Sequence, residues 1–546
     1  MANDVFILGI NGGVRQGYQD VSAVLMKNAE VVAAIEEERL SRIKFSAGQL
    51  PILSIREVLR IAGIGISDVS AVGFHGSTWQ YEIEEVLCSH FQNNFGYCPP
   101  LNRFHHHDCH AASVYYSSGF KDALIITVDG SGDGVSTRIS VGSKNKIETL
   151  KDFHRPQSLG IFYSIITQIC GFTRDADEYK LMGLAAYGDA SKYNLDFLLN
   201  ITDEGYSINT DYLVEVKPGQ SSPSRNEMLF NQKLLDKLKL KRRTESIISQ
   251  EYKDLAAATQ LQFEKSLLQL VKMYVAQTGI KMVCLAGGVA LNCLANRKIE
   301  SLQEVDELFV QPAASDAGIS LGAAYLTAIK QGVAISSQQQ THTFLGNSFT
   351  DDEIESTLKN CLIQYSRLVD VIAEVSSSLA SGKAIGWFQG KMEFGPRALG
   401  SRSILAHPSV PDIKKSINQK IKFREGYRPF GASVLEEDFH NYFEAKCKTA
   451  PFMTKVFDVK TEWQKVLSGI THADGTCRVQ TINEHQHSLY YQLLCEVKKR
   501  TGIGVLLNTS YNLSHEPIVC TPREAIASFF ASGLDELYLG SFKITK

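Results

Sequence analysis

Two apolar runs that end in glycine turns frame the chain. Val5–Gly13 (VFILGINGG) and Ala123–Gly134 (ALIITVDGSGDG) share this form. Each leads into further runs of strand character: SAVLMKN and EVVAAIEEER after the first, STRISVG after the second. A strand, a glycine turn and a returning strand, met twice, predict a duplicated β-hairpin unit within an α/β fold. Two unrelated strand–turn units satisfy the same pattern. Glycine at such turns lets the backbone approach phosphate oxygens, because no Cβ stands in the way.

Helical periodicity then takes over. SLGIFYSIITQICGF and EYKLMGLAAYGD read as helices, and Asp254–Gly279 spaces apolar residues three and four apart along one long amphipathic helix. Two strand–turn–helix units follow, KMVCLAGGVALNCLANRKI and LFVQPAASDAGISLGAAYLTAIKQG. Residues 190–250 are more polar and irregular, which suggests a substrate-facing insertion. The polar stretch Ser336–Phe344 is the linker candidate. It divides the chain into a first module, residues 1–345, and a second, residues 346–546, which mixes helices with strands such as KAIGWFQG and GIGVLLNTS.

Composition narrows the class. With 44% hydrophobic and 21% charged residues over 546 positions, the chain reads as a globular enzyme of several domains. A net charge of -3 argues against a nucleic-acid partner. No apolar run approaches the roughly 18 residues that span a bilayer, and the start MANDVFILGI lacks the basic region of a signal peptide. The 11 cysteines, with no C-x-x-C pair, fit a reduced cytoplasm better than a disulfide framework.

Candidate chemistry begins at Phe104–Tyr116 (FHHHDCHAASVYY). His106 and His110 are four apart, so a helix places both imidazoles on one face within reach of one metal ion. His105 and His107 point elsewhere, and His107 is a candidate to line a nucleotide or acceptor cleft. Asp129 ends the strand LIITVD and Asp316 follows another strand in AASDAG, and such strand ends collect ligands in α/β folds. Two imidazoles and two carboxylates suit iron, manganese or zinc. A polar helix start led by Asp108 is the alternative. Gly287, Gly288 and Asn292 form a strand-to-helix turn that suits a nucleotide phosphate or ribose, or else helix packing. Glu178 and Lys180 form a charged island or a solvated helix start.

The second module is rich in cations set among glycines and aromatics. Arg397 and Arg402 lie in GKMEFGPRALGSRSILA, and Lys422, Arg424 and Arg428 in NQKIKFREGYRPFGASVL. Arg478 follows, and then Asn508, Ser510 and Asn512 at the strand end LLNTSYN. Such groups bind phosphate and carboxylate by charge-assisted hydrogen bonds. They predict a pocket for a polyanionic nucleotide and a small anionic co-substrate, with a basic protein-binding surface or an RNA patch as alternatives.

Taken in order, EEERLSRIKF, HHDCHAAS, VDGSGDG, SLGIFYS, EYKLMGLAAYG, LAGGVALN, SDAGISLGAA, MEFGPRALGSRSILA, FREGYRPFGASVL, DGTCRVQT and LLNTSYN resemble the NodU/CmcH/TobZ family of carbamoyltransferases. The resemblance covers almost the whole chain. It implies an N-terminal Kae1-like domain of the actin/Hsp70 type, whose halves begin with such hairpins, and a C-terminal YrdC-like domain. It implies two steps. Carbamoyl phosphate and ATP, with Mg2+, give carbamoyl adenylate, phosphate and pyrophosphate in the second module. The carbamoyl group then passes to an acceptor hydroxyl in the first, leaving AMP.

The resemblance also implies roles residue by residue. His106, His110, Asp129 and Asp316 fall on an iron-type metal site, which would act as a Lewis acid on the carbamoyl carbonyl. Lys44 falls on a lysine that meets the adenylate, and Gly130, Gly287, Gly288 and Asn292 on nucleotide-binding turns. Arg397, Lys422, Arg428, Arg478 and Asn508 fall on the adenylate-forming pocket. Lys422–Arg424 and Ser510–Asn512 reproduce the K-x-R and S-x-N pattern of YrdC-like domains. The chain departs from the family at Gln19-Asp20, where His-Asp is usual, and at Ser514-His515, where a basic residue and glycine are usual. Asp203, Glu204 and Asp211 are candidates for a general base. The expected acceptor is a small hydroxylated natural product or glycan, with no membrane partner, and a homodimer is a family expectation. The competing readings are a tRNA threonylcarbamoyladenosine-type enzyme and a sugar-kinase or Hsp70-like ATPase.

Overall fold

The computed structural model describes residues 4–13, 19–76, 83–214 and 227–546. β1 (Phe6–Asn11), β2 (Ser22–Lys27), β3 (Glu30–Glu36), β4 (Val69–His75) and β5 (Leu101–Phe104) form a sheet in the order β3-β2-β1-β4-β5. After β6 (Asp122–Gly132), β7 (Val135–Ser143) and β8 (Lys146–His154) comes a separate hairpin of β9 (Leu199–Thr202) and β10 (Gly205–Ile208). With β11 (Met282–Ala286) and β12 (Glu307–Val310), β6–β8 form a second sheet in the order β12-β11-β6-β7-β8. The two five-stranded sheets share one plan. β1 and β6 each pair antiparallel with the strand that follows and parallel with a later one, β4 or β11. β1 and β6 are buried along most of their length, which is why they read as unbroken apolar runs.

Two helices lie between these sheets. His106–Ser118 packs on β6 and β11, Ile319–Lys330 packs on β1 and β4, and the helices pack on each other. Gly322 sets their approach, since a Cβ there would stand 1.7 Å from the Cys109 carbonyl oxygen. This crossing brings the start of one helix beside Asp316, at the start of the other.

The long amphipathic helix runs Gln250–Thr278. The β9–β10 hairpin lies against it, with Gln262 donating to the Leu199 carbonyl at 2.7 Å. None of the described residues of 190–250, the segment expected to be a substrate-facing insertion, lines the main cavity between the modules. Residues 215–226 of that segment lie outside the described residues.

In the second module ten strands form one mixed sheet. Arg402–Ala406, Val505–Ser510 and Gly431–Leu435 are antiparallel neighbours within it. The linker candidate is tied down: the Gln338 and Gln340 amides donate to the Tyr116 and Ser117 carbonyls, and Thr343 is buried. All the cysteines are free thiols. Among the described residues no helix is long and apolar enough to cross a membrane.

Polar contacts join the modules. Arg42 donates to the Ile518 and Pro517 carbonyls, Asn296 to the Thr454 carbonyl, and Lys455 pairs with Glu300 where both are buried. Removing one partner of a buried pair strands the other charge. Lys455→Ala is expected to cost about 3–5 kcal/mol of unfolding free energy in urea titrations, and pairing Lys455→Met with Glu300→Leu should recover most of it.

Candidate active site

The helix His106–Ser118 starts at His105, whose side chain accepts from the His107 amide. The His106 and His110 rings stand 4.7 Å apart on one face. Asp129 Oδ2, at a kink in β6, lies 3.4 Å from His106 Nε2 and 3.2 Å from His110 Nε2. Asp316 Oδ1 lies 3.8 and 3.6 Å from the same two nitrogens. One donor atom from each of the four residues falls within 4.8 Å of all the others.

The electrostatics of this cluster favour positive charge. Burial pushes the Asp129 carboxyl up, but the two imidazoles together outweigh it and hold it well below the usual carboxylate range. Burial pulls His110 down, and Asp129 and Asp316 more than reverse this, raising it to about 9. His107 is not a cleft residue. Its buried ring bonds Thr127 Oγ1 at 2.7 Å and the Val135 carbonyl at 3.1 Å, which ties the helix to β6 and β7. Asp108 is engaged by Arg138. A polar helix start thus accounts for His105, His107 and Asp108, and leaves His106 and His110 to the cluster.

Asp129 and Asp316 line one cavity of about 970 Å3 to which both modules contribute. Gly130, Gly288, Asn292 and Lys44 line it from the first module; Arg397, Lys422, Arg424, Arg428, Arg478, Asn508, Ser510 and Asn512 line it from the second. The sequence suggests two pockets, and the fold merges them into one. Gly287 is absent from the lining. It has φ 93°, and a Cβ there would meet the Val128 carbonyl oxygen at 2.1 Å, so packing against β6 explains this glycine. Arg402 is also absent from the lining. It is buried, donates to the Gln389, Gly390, Ser401 and Asn347 carbonyls, and stacks 3.7 Å over the Phe388 ring. Asn292 accepts from the Ala295 amide and exchanges hydrogen bonds with Gln260, so it both caps a helix and faces the cavity.

The K-x-R and S-x-N segments meet. Lys422 Nζ donates to Asn512 Oδ1 at 2.6 Å and to Ser510 Oγ at 3.2 Å. Burial, then Arg424, Arg428 and Lys44, holds this amine well below the usual lysine range. Arg397 and Arg478 go further. Among the described residues neither side chain has a hydrogen-bond or ion-pair partner. Burial, then Arg478, lowers Arg397 to about 9. Two guanidinium groups that repel each other without a protein carboxylate between them leave their donors open to an anion.

The cavity also holds carboxylates that sequence reasoning left without a role. Burial raises Asp20 to about 7 against a hydrogen bond from Ser315. Burial, then Asp175, raises Glu178 to about 6, and Glu178 accepts from Ser164 at 2.8 Å. Lys180 bridges Asp177 at 3.1 Å and Glu425 at 3.5 Å, across the two modules. In the sequence this corner shows only as a charged island before an apolar helix, within EYKLMGLAAYG, and as the Gln19-Asp20 pair. His515 lines the cavity as well. Asp203, Glu204 and Asp211, the general-base candidates, are exposed and lie outside the lining.

The chain is similar to known proteins. A family model described as Carbamoyltransferase N-terminus matches residues 74–325, and one described as Carbamoyltransferase C-terminus matches residues 376–546. The nodulation protein NolNO of Sinorhizobium fredii is 35% identical over 99% of this chain and 82% of its own. The 3'-hydroxymethylcephem-O-carbamoyltransferase of Amycolatopsis lactamdurans is 27% identical over 68% of this chain and 65% of its own. Among solved structures, HypF of T. kodakarensis overlays 61% of this chain and 48% of its own at a TM-score of 0.34 and 15% identity. With the near full-length match to NolNO and a family model on each module, the chain belongs to the carbamoyltransferase family of enzymes.

Proposed function

We propose that this chain is an ATP-dependent O-carbamoyltransferase with its two reactions at two ends of one cavity. On the basic wall, water cleaves carbamoyl phosphate to carbamate and phosphate. A carbamate oxygen attacks the α-phosphorus of ATP, carried with Mg2+, and pyrophosphate leaves. At the His–Asp end, an acceptor hydroxyl attacks the carbamoyl carbon and AMP leaves. Carbamate is a poor electrophile, and adenylation supplies the leaving group it lacks. The acceptor class is a small hydroxylated natural product or glycan. In this reading the first module is the Kae1-like transfer domain and the second the YrdC-like adenylate-forming domain.

The observation that carries the reading is Arg397 beside Arg478 with no carboxylate partner, next to the Lys422–Ser510–Asn512 cluster. Two anionic reactants repel each other, and cations fixed beforehand offset that repulsion in a site partly screened from water. The His106, His110, Asp129 and Asp316 donors fit a divalent ion of the iron, manganese or zinc kind by number, chemistry and proximity. Bound there, it would supply a Lewis acid for the carbamoyl carbonyl. The protein's own groups orient the rest: Asn508 donates to Ser433 and Gln480, and Arg428 lies 4.6 Å over the Tyr179 ring.

The test is product analysis with ATP, carbamoyl phosphate and Fe2+. Pyrophosphate that depends on carbamoyl phosphate is the expected result. ADP as the sole nucleotide product would point to a kinase or Hsp70-like ATPase and sink the reading. A requirement for threonine and bicarbonate would transfer it to the tRNA-modifying class.

A further inference from the structure

The π-helical turn Ile417–Ile421 ends in two anchored cations with one unanchored ring between them. Lys422 turns to Ser510 and Asn512. Arg424 turns to Asn418 and Pro429 and lies 4.6 Å over Phe430. Phe423, between them, has φ 44° and is 54% exposed. A left-handed backbone strains a bulky L-residue, and an exposed ring recovers little of that cost by burial. Glycine would take this φ without strain. Among the described residues no ring or cation stacks on Phe423, although it lines the cavity. Neither backbone nor packing therefore explains a phenylalanine here, and π-turns of this kind collect at functional sites.

A second Ile-Lys-Phe tripeptide reaches the same cavity from the first module. Ile43-Lys44-Phe45 repeats the sequence, and Phe45 also has a left-handed φ, 64°. There the ring is engaged, with Lys44 Nζ 5.0 Å from its centroid. The contrast isolates Phe423 as the ring held out for a ligand.

We propose that Phe423 is the platform on which the purine base of the nucleotide stacks, a specificity-determining residue for the reaction above. This rests on the proposed function: of ATP and carbamoyl phosphate, only ATP has an aromatic face. The cations flanking Phe423 belong to the wall that takes its phosphates.

Calorimetric titration of the full chain tests the proposal with ATP and with inorganic triphosphate, which has no base. Phe423→Gly keeps the left-handed backbone and removes the ring. It is expected to weaken ATP about 10-fold or more, leave triphosphate binding within about twofold, and melt no lower than wild type. Phe423→Trp is expected to restore ATP binding. Equal weakening of ATP and triphosphate, or unchanged ATP binding with carbamoyl-phosphate-dependent pyrophosphate release intact, overturns the platform while leaving the proposed function standing. A wild-type chain that binds no ATP overturns both.

Discussion

Arg397→Ala is expected to stop carbamoyl-phosphate-dependent pyrophosphate release and to leave metal binding by the protein unchanged. The argument starts from what this side chain does not hold. Among the described residues it has no acceptor, so its loss strands no carboxylate, and it relieves the repulsion with Arg478 that helps depress it to about 9. The melting temperature is expected to stay level or rise. The loss falls on the transition state. Removing one fixed donor from developing negative charge costs about 2–4 kcal/mol, or roughly 30- to 1,000-fold in rate. Arg397→Lys is expected to recover only part of this, since an ammonium keeps the charge but not the planar fork. A variant that retained a third or more of the wild-type pyrophosphate rate would remove Arg397 from the reacting phosphates.

Residue type and spacing alone do not single out Arg397; only the resemblance to the family does. Arg397 and Arg402 sit in one glycine-rich run and look alike there. Arg402 spends its donors on four carbonyls and stacks on Phe388, while Arg397 has none of these contacts. Apart from that resemblance, tertiary placement is what separates a structural cation from a ligand cation, because main-chain carbonyls leave no mark on a sequence. The hairpins were legible for the opposite reason. Their signal is local, a run of β-formers closed by glycine, and the shared order of the two sheets follows once each hairpin accepts a parallel strand. Gly287 and Gly288 were inseparable in sequence, since a close backbone approach and a ligand turn both demand glycine. The merging of two expected pockets was invisible as well. It depends on contacts between the modules, such as Lys180 reaching Glu425, which join segments far apart in the chain.

That merging gives the second large prediction its force. His110→Ala is expected to release pyrophosphate at close to the wild-type rate while losing bound metal, read by elemental analysis, and losing AMP release in the presence of an acceptor. His110 lies behind Asp129 and Asp316 and does not line the cavity, so its removal acts on the cluster and not on the cations of the basic wall. Its buried ring leaves a hole and strips Asp129 of one of its two imidazoles, so the variant is also expected to lose stability by roughly 2–5 kcal/mol. Asp316→Asn separates the two effects. The shape is kept, the side chain is 23% exposed, and one anionic donor of the set is lost. If both variants keep pyrophosphate release and lose metal and AMP release, the cavity runs adenylation and transfer with separate residues despite its continuity. If His110→Ala and Arg397→Ala stop pyrophosphate equally, the two ends act as one site, and the division of labour drawn from the cluster and the basic wall fails.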